Sequence, residues 1–556
     1  MNLQAESAQS SSLEGDYDYL VVGGGSAGCV LAARLSEDRN VRVALLEAGP
    51  VDRSVLIHCP AGIAALARTG TANWRYATVP QAGLLGRCGY QPRGKVLGGS
   101  SSLNAMVYIR GHAADYDAWA AEGNPGWSYH EVLPYFKRAE HNERGGDAWH
   151  GTGGPLNVMD LRSPNGLLPD FIAAGVAAGW PRTADFNGAS QGGVGAYQVT
   201  HRQGERCSAA KAYLTPVLGR SNLSVFTGAH TTRILTASGA GPRRAVGVEF
   251  RGAGGQGPLQ RLSLRAGGEV VLAAGAFGSP QLLLLSGIGP GAQLQQHGVP
   301  VLHDLPGVGE HLHDHPDMIL VVDAPRAHEV LGLSWRGLAR GLRAVGEWRQ
   351  HRRGLLTTNF AEAGGFIHTD QSEALPDLQL HFVVAKLADH GRRTLFGQGY
   401  SLHVCLLRPR SRGSVRLAGP DPLVAPLIDP AFLQDADDLR RLVRGVHLAR
   451  DLLGQAPLAR HGGQESAASR HAQTDAQLAD FVRRNSDTSY HPVGSCRMGS
   501  GPLDVVDATL RVHGVAALRV ADASIMPSIV GGNTNAPSIM IGEKAADLLR
   551  AARATA

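Results

Sequence analysis

Cysteine is scarce and scattered: the 556 residues hold six, Cys29, Cys59, Cys88, Cys207, Cys405 and Cys496, with no C-x-x-C pair among them. That dispersal argues against a disulfide framework and against a zinc site, and makes a reducing cytoplasm the expected location. Long hydrophobic runs are missing too. No apolar stretch approaches the roughly 18–20 residues of a membrane-spanning helix. Residues 1–16 (MNLQAESAQSSSLEGD) lack the basic region and apolar core of a secretory signal and read as a disordered tail. Charge of one sign is not accumulated either: a formal net charge of +5 is small for this length and predicts no nucleic-acid partner. No internal repeat is apparent. What remains, 43% hydrophobic residues and 72 glycines, suits a large α/β protein with many tight turns, and the length implies two or more structural units.

The most informative stretch lies near the start. Tyr19 to Val22 reads as a short apolar strand, and Gly23, Gly25 and Gly28 fall on the G-x-G-x-x-G spacing. Ser26 to Glu37 has helical apolar periodicity, Val41 to Leu46 is a second apolar strand, and Glu47 stands at its carboxyl end. The first glycine permits a tight turn, the second lets backbone approach a pyrophosphate, and the third lets helix and strand pack closely. The helix N-terminus, at Ser26 and Ala27, faces the phosphate charge. An acid roughly 20 residues past the glycines can accept a hydrogen bond from a ribose hydroxyl. Glycines alone also fit a plain turn. Strand, glycines, helix, strand and acid in this order predict an adenine dinucleotide site.

Further elements of the same sheet are expected far along the chain. Arg265 to Gly275 reads as a buried strand followed by a helix from Ser279 to Leu285, Leu518 to Ile525 as one more strand, and Ala536 to Ala551 as a closing amphipathic helix. Such distant strands join one sheet only if the intervening segments form a second domain. Between about residues 316 and 480 the pattern alternates, as in Asp377 to Phe382 (DLQLHF), which predicts an antiparallel sheet with one buried face. The segment from Leu333 to Arg353 places Trp335, Leu338, Leu342, Val345 and Trp348 at helical spacing. Arg336, Arg340, Arg343, Arg349, Arg352 and Arg353 lie between them. Such a basic amphipathic helix fits either an anionic membrane surface or an ordinary apolar stripe packed on the protein body.

Four more segments complete the pattern: Pro92 to Gly111 (PRGKVLGGSSSLNAMVYIRG), Gly275 to Gly289 (GAFGSPQLLLLSGIG), His491 to Gly499 (HPVGSCRMG) and Gly532 to Met540 (GNTNAPSIM). With the opening motif, in this order from about Tyr17 to the end, the chain resembles the glucose–methanol–choline (GMC) family of FAD-dependent oxidoreductases. Within it the likeness is to bacterial alcohol dehydrogenases acting on aliphatic primary alcohols, carried also by Leu402 to Gly413 (LHVCLLRPRSRG) and Pro422 to Leu433 (PLVAPLIDPAFL). The resemblance implies an α/β fold. A Rossmann-like FAD-binding domain on a parallel sheet, discontinuous in sequence, would pair with an α+β substrate domain on an antiparallel sheet. Residues 17–315 would be mainly FAD-binding, with substrate-domain insertions at about 150–200. Residues 316–480 would be mainly substrate-binding, and 481–556 would return to the FAD domain with the catalytic pair.

It further implies that Val96 and Asn104, Ala105, Met106 and Val107 line the flavin and that Thr231 meets the adenine end. Asp522 and Ala523 match a second pyrophosphate-side contact, and Ala48 follows the ribose acid. Gly99 and Ser100 offer bare amides and hydroxyls where the chain nears the flavin. Some relatives attach flavin covalently through a histidine in the first signature; here that residue is Leu103, so noncovalent FAD is expected.

Oxidising an alcohol needs a base for the hydroxyl proton and an acceptor for the hydride. His491 is the expected base, because imidazole titrates near neutrality, and Asn535 is taken as its hydrogen-bonding partner by the family's pattern. His311, His313 and His315 alternate as if on one strand face, but no second ligand cluster accompanies them, so no metal is expected. Cys405 and Cys496 lack a paired base and read as inert thiols. Glu362 sits near where choline-acting relatives place an acid, without an obvious aromatic cage, and reads as structural. The expected function is an FAD-dependent alcohol dehydrogenase passing electrons to a quinone or similar carrier, cytoplasmic or peripheral at the inner face of the cytoplasmic membrane. Choline dehydrogenase, an oxygen-using alcohol oxidase, a non-redox flavin lyase and a nonenzymatic flavin module are the alternatives.

Overall fold

A computed structural model describes residues 17–555 apart from 163, 238–242, 328–334 and 394, together with the helical backbone but not the side chains of 335–340 and 342. The tail expected at 1–16 lies outside the described residues. Two separate sheets organise the chain. The first has a parallel core in which Leu223–Thr227, Val43–Glu47 and Tyr17–Val22 lie side by side, followed by the carboxyl half of Leu259–Leu272. Leu518–Val520 joins that same half in parallel, Val270 opposite Leu518, so the sheet does recruit a strand from near the end of the chain. Tyr17–Val22, Val43–Glu47 and Leu518–Val520 are buried almost throughout, as parallel strands covered on both faces must be, while the edge strand Leu223–Thr227 is mostly half-buried.

The sheet is more mixed than a purely parallel one. Leu259–Leu272 is 14 residues long, and its amino half pairs antiparallel with Arg243–Arg251, which in turn pairs antiparallel with His230–Ala237. Sequence pattern showed only the buried carboxyl half, because the amino half is half exposed and carries no continuous apolar run. The helix after it spans Gly275–Leu285, four residues earlier than its apolar residues indicate, with Pro280 inside.

Helix Ser26–Leu35 packs against the closing helix Asn535–Ala554. Gly542 permits that approach: a Cβ there would stand 2.9 Å from the Ala27 carbonyl oxygen. The fully buried Glu543 carboxylate is shared by Arg34 and Arg138 at 2.9 and 2.8 Å, clamping the pair. Breaking one partner of such a buried pair is strongly destabilising, because it strands a charge. The clamp fixes both helix N-termini, those of Ser26 and Asn535, at the same edge of the sheet.

The second sheet is antiparallel and runs through Pro316–Asp323, Gly399–Leu406, Leu378–Val383, Ala361–Ile367 and Gly193–Ala196. Here the alternation expected to mark one buried face needs correcting. Every residue of Leu378–Val383 is buried. Leu378, Leu380 and Phe382 pack into an apolar core with Leu442, Val446 and Ala449 of helix Ala436–Leu453. The polar residues between them, Gln379 and His381, are covered as well, because they face the interior where the two sheets meet.

The helix Trp335–His351 packs its described aromatic inward: Trp348 is buried, and its indole Nε1 donates to the Gly204 carbonyl at 2.8 Å. Val345 on the same helix stays exposed. The side chains of Trp335, Leu338 and Leu342, which carry the rest of the stripe, lie outside those described.

Candidate active site

Between the sheets lies one cavity of about 1130 Å³, larger than an ordinary single-ligand pocket. Gly23, Gly25, Ser26, Ala27, Glu47 and Ala48 line it, as do Gly99, Ser100, Asn104, Ala105, Met106, Val107, Thr231, Asp522 and Ala523. The structure thus brings together nearly all of the residues expected to hold a cofactor. Two do not reach it. Gly28 serves packing instead, since a Cβ there would lie 1.8 Å from the Gly23 carbonyl oxygen. Val96 is buried in a small apolar cluster with Ile57 and Leu66, behind the loop rather than at the cavity wall.

Glycine geometry shows why the wall approaches so closely. Gly23 has φ of +105° and no room for a side chain beside Ala273, and a Cβ on Gly99 would stand 2.7 Å from Gly25 Cα. The signature loop and the dinucleotide loop therefore meet backbone to backbone. Buried Arg206 fixes the signature loop from behind, donating through Nη1 to the Ser101 and Asn104 carbonyls and to Asn104 Oδ1 at 2.7–3.1 Å. Without a carboxylate partner, burial lowers its pKa to about 9. Met106, at φ +58°, follows directly in a left-handed conformation uncommon outside glycine.

Glu47 accepts from the Gly24 and Gly49 amides, 2.8 Å to each carboxylate oxygen, and burial raises its pKa to about 7. Asp522 caps the helix Gly275–Leu285, accepting from the Gly275 amide at 2.8 Å and the Ser279 hydroxyl at 2.5 Å. Two buried polar atoms in this half of the cavity have no protein partner, Thr231 Oγ1 and His230 Nδ1. Bare loop backbone, two helix N-termini, a ribose-range acid and these orphaned polar atoms fit an adenine dinucleotide. Leu103 lines the cavity and supplies no nucleophile.

The reactive end is set by a loop and a helix start. His491 follows Tyr490, whose φ of +72° turns the chain, and the Asp314 carboxylate accepts the His491 amide at 2.8 Å. His315 Nε2 lies 3.0 Å from the Leu407 carbonyl and must donate to it. Its Nδ1 is therefore an acceptor, and it sits 3.0 Å from His491 Nδ1, which donates. The network leaves His491 Nε2 without a proton. That nitrogen faces Asn533 Nδ2 at 3.1 Å, and Asn533 Oδ1 accepts from Gln379 Nε2 at 3.1 Å, which fixes the amide's orientation. Burial foremost, then the neighbouring His315, His381 and Arg93, drives the His491 pKa well below its ordinary value. Burial likewise lowers His315 to about 3. Both rings are neutral at physiological pH.

Asn535 lines the same cavity as His491, but the asparagine hydrogen-bonded to that ring is Asn533. Asn535 Oδ1 accepts from the Ser26 hydroxyl at 2.8 Å, joining the starts of the two clamped helices on the cofactor side. The reason is helical geometry: Asn535 is the first residue of its helix, whereas Asn533 lies in the preceding turn and projects toward the loop of His491. Two asparagines in G-N-T-N fit the pattern equally by type, so spacing alone does not separate them.

The H-L-H-D-H histidines also part company. They do not lie on a strand: His311 has φ of +61°. His313 is a buried crosslink, donating from Nδ1 to the His311 carbonyl at 2.6 Å and accepting the Ile529 amide on Nε2 at 2.9 Å. His315 is the ring that holds His491. Glu362 is buried and held by the Thr358 hydroxyl at 2.6 Å and the Asn165 amide at 2.5 Å, away from the cavity. Cys405 and Cys496 are fully buried, and burial pushes both thiols well up.

The GMC oxidoreductase amino-terminal family model matches residues 17–317, and the carboxyl-terminal model matches residues 409–542. An alcohol dehydrogenase [acceptor] of Pseudomonas putida is 45% identical over 534 residues, 96% of this chain and 95% of the relative. The mitochondrial choline dehydrogenase of Homo sapiens is 42% identical over 562 residues, 99% of this chain and 92% of its own. Among solved structures, pyridoxine 4-oxidase from Mesorbium loti superposes with a TM-score of 0.84 at 35% identity, covering 96% of this chain and 99% of the other.

Proposed function

The chain belongs to the GMC oxidoreductase family and is an FAD-dependent alcohol oxidoreductase, and from that premise we propose that it oxidises a primary aliphatic alcohol to the aldehyde and delivers the electrons to a quinone-type acceptor. The observation that carries the reading is the pair His491 Nε2 and Asn533 Nδ2, 3.1 Å apart at the cavity wall. An alcohol oxygen arriving there displaces the Asn533–His491 hydrogen bond, donates its proton to the freed Nε2 and accepts from the Asn533 amide. His491 acts as the base, and His315 keeps its tautomer correct by accepting at Nδ1. Asn533 stabilises the alkoxide charge as it develops, since its donor is already oriented by Gln379. When bound, noncovalently as Leu103 implies, FAD would supply the acceptor for the carbinol hydride. Gly25, Ser26, Ala27, Glu47 and Thr231 would hold its dinucleotide part, and Asn104 to Val107 its flavin end. Asn535 supports that binding through Ser26 rather than touching the alcohol.

Choline is the runner-up, and Glu362 weighs against it. The acid that would face an ammonium is turned to Thr358 and Asn165 and does not line the cavity, and the carboxylates that do, Glu47 and Asp522, are at the dinucleotide end. Among the described residues no helix is long and apolar enough to cross a membrane. We place the enzyme in the cytoplasm or peripherally at the inner face of the cytoplasmic membrane. The test is anaerobic flavin bleaching by 1-alkanols and by choline, followed by reoxidation with a soluble quinone or with oxygen. Alkanols should bleach faster and quinone should reoxidise faster, and acid precipitation should release all flavin into the supernatant. Faster bleaching by choline, or peroxide formed as fast as quinone is reduced, would replace this reading with one of its alternatives.

A further inference from the structure

One polar group in the cavity has no part in the chemistry above. His403, on strand Gly399–Leu406, lies directly opposite His381 on strand Leu378–Val383, with the two rings 6.1 Å apart at 84°. Both line the cavity. His403 Nδ1 is held by the Asp317 carboxylate at 2.5 Å, and its Nε2 is buried without any protein partner. The residue is 8% exposed, so the orphaned nitrogen is not rescued by bulk solvent. It stands beyond His381, the ring whose charge would be felt at His491, while apolar Phe360, Val383 and Leu387 line the same cavity. A plain alkyl chain lying there leaves the nitrogen unmatched, and a buried unpaired polar atom weighs against that ligand.

Resting on the proposed alcohol oxidation, we propose that the Asp317–His403 pair is a second anchor and that the preferred substrate is an aliphatic alcohol bearing a second hydroxyl a few carbons from the oxidised carbinol. A hydroxyl suits this nitrogen in either protonation state. With Nδ1–H donated to Asp317, a neutral ring presents a lone pair on Nε2 that accepts the substrate O–H. A protonated ring presents N–H, and the hydroxyl lone pair accepts it. A carboxylate matches only the protonated ring, and a methyl group matches neither. Asp317 positions the ring: it fixes which nitrogen meets the ligand.

The experiment measures flavin reduction in the holoenzyme by α,ω-diols of increasing length, by 1-alkanols of equal carbon number and by the matching ω-hydroxy acids. At one or two spacer lengths the diol should exceed the alkanol in kcat/KM by about 10- to 100-fold, the range of one or two well-formed polar contacts. His403→Phe should erase that preference through KM while leaving kcat and KM for 1-alkanols within about threefold, and His403→Gln should restore part of it. Asp317→Asn, which frees the ring to turn, should weaken the preference without changing alkanol turnover. Alkanols that match diols at every length in the wild type would overturn the anchor and leave alcohol oxidation standing. Preference for the hydroxy acids would overturn the choice of hydroxyl. Reduction by none of the three series would overturn the parent reading and this one with it.

Discussion

Asn533→Ala tests the reactive end most sharply, because the two asparagines of G-N-T-N must then behave differently. In the wild type Asn533 Nδ2 stands 3.1 Å from His491 Nε2 and its Oδ1 is pinned by Gln379 at 3.1 Å, so the donor is oriented before substrate arrives. Removing one preorganised donor to a developing oxyanion costs about 10²–10³ in rate, or roughly 2.7–4 kcal/mol. The loss should fall on the rate of flavin reduction rather than on FAD content, since no described contact links Asn533 to the dinucleotide wall. Asn535→Ala should do the reverse. It deletes the 2.8 Å bond to the Ser26 hydroxyl, a net loss of about 0.5–1.5 kcal/mol for a neutral pair, so FAD should bind about two- to tenfold more weakly with nearly unchanged reduction at saturating FAD. The assay is anaerobic stopped-flow reduction by a good alcohol, with FAD affinity measured on the apoprotein. If Asn535→Ala reduces its flavin slowly while Asn533→Ala reduces it at the wild-type rate, the assignment of the two residues is reversed.

His491→Ala should slow flavin reduction by about 10²–10⁴-fold with FAD content unchanged. Since burial holds the His491 pKa well below 6.5, wild-type reduction should stay flat from pH 8 down through pH 6.5 and fail only on further acidification, when the protonated ring cannot accept a proton; an acid limb centred at or above 6.5 would contradict the buried neutral base. The same depressed values at His491, His315 and His381 mean that the unfolded chain binds more protons than the folded one below pH 6.5. Stability should therefore fall as pH drops through that window, measured as Tm against pH. Glu47, at about pKa 7 in the protein without dinucleotide, should make FAD bind more tightly as pH rises from 6 to 8, because a ribose hydroxyl donates best to the ionised carboxylate. Glu47→Gln should weaken binding by about 10- to 100-fold through loss of charge-assisted bonds and should flatten that pH dependence. Affinity of Glu47→Gln that still climbs with pH would assign the effect to another group.

The sequence by itself determined the nucleotide half. Gly23, Gly25, Gly28 and Glu47 are close in the chain, and their roles follow from local strand–turn–helix geometry, which neighbouring residues dictate. It also determined that a second, antiparallel layer exists, because period-2 alternation is written into Asp377 to Phe382. Tertiary structure decided which face of that layer matters. Burial on both sides of Leu378–Val383 turned the polar face toward the site, with His381 in its wall and Gln379 behind it holding Asn533. His315, His491, Asn533 and Gln379 meet only because the chain returns to the first sheet after making the second. No local pattern records that His315 locks the tautomer of a ring 176 residues away, or that Asn533 rather than Asn535 is its neighbour. Those choices rest on a turn preceding a helix, a positive φ at Tyr490 and the packing of two sheets across one cavity. These are long-range constraints, and they are fixed by the closed fold rather than by the residues on either side.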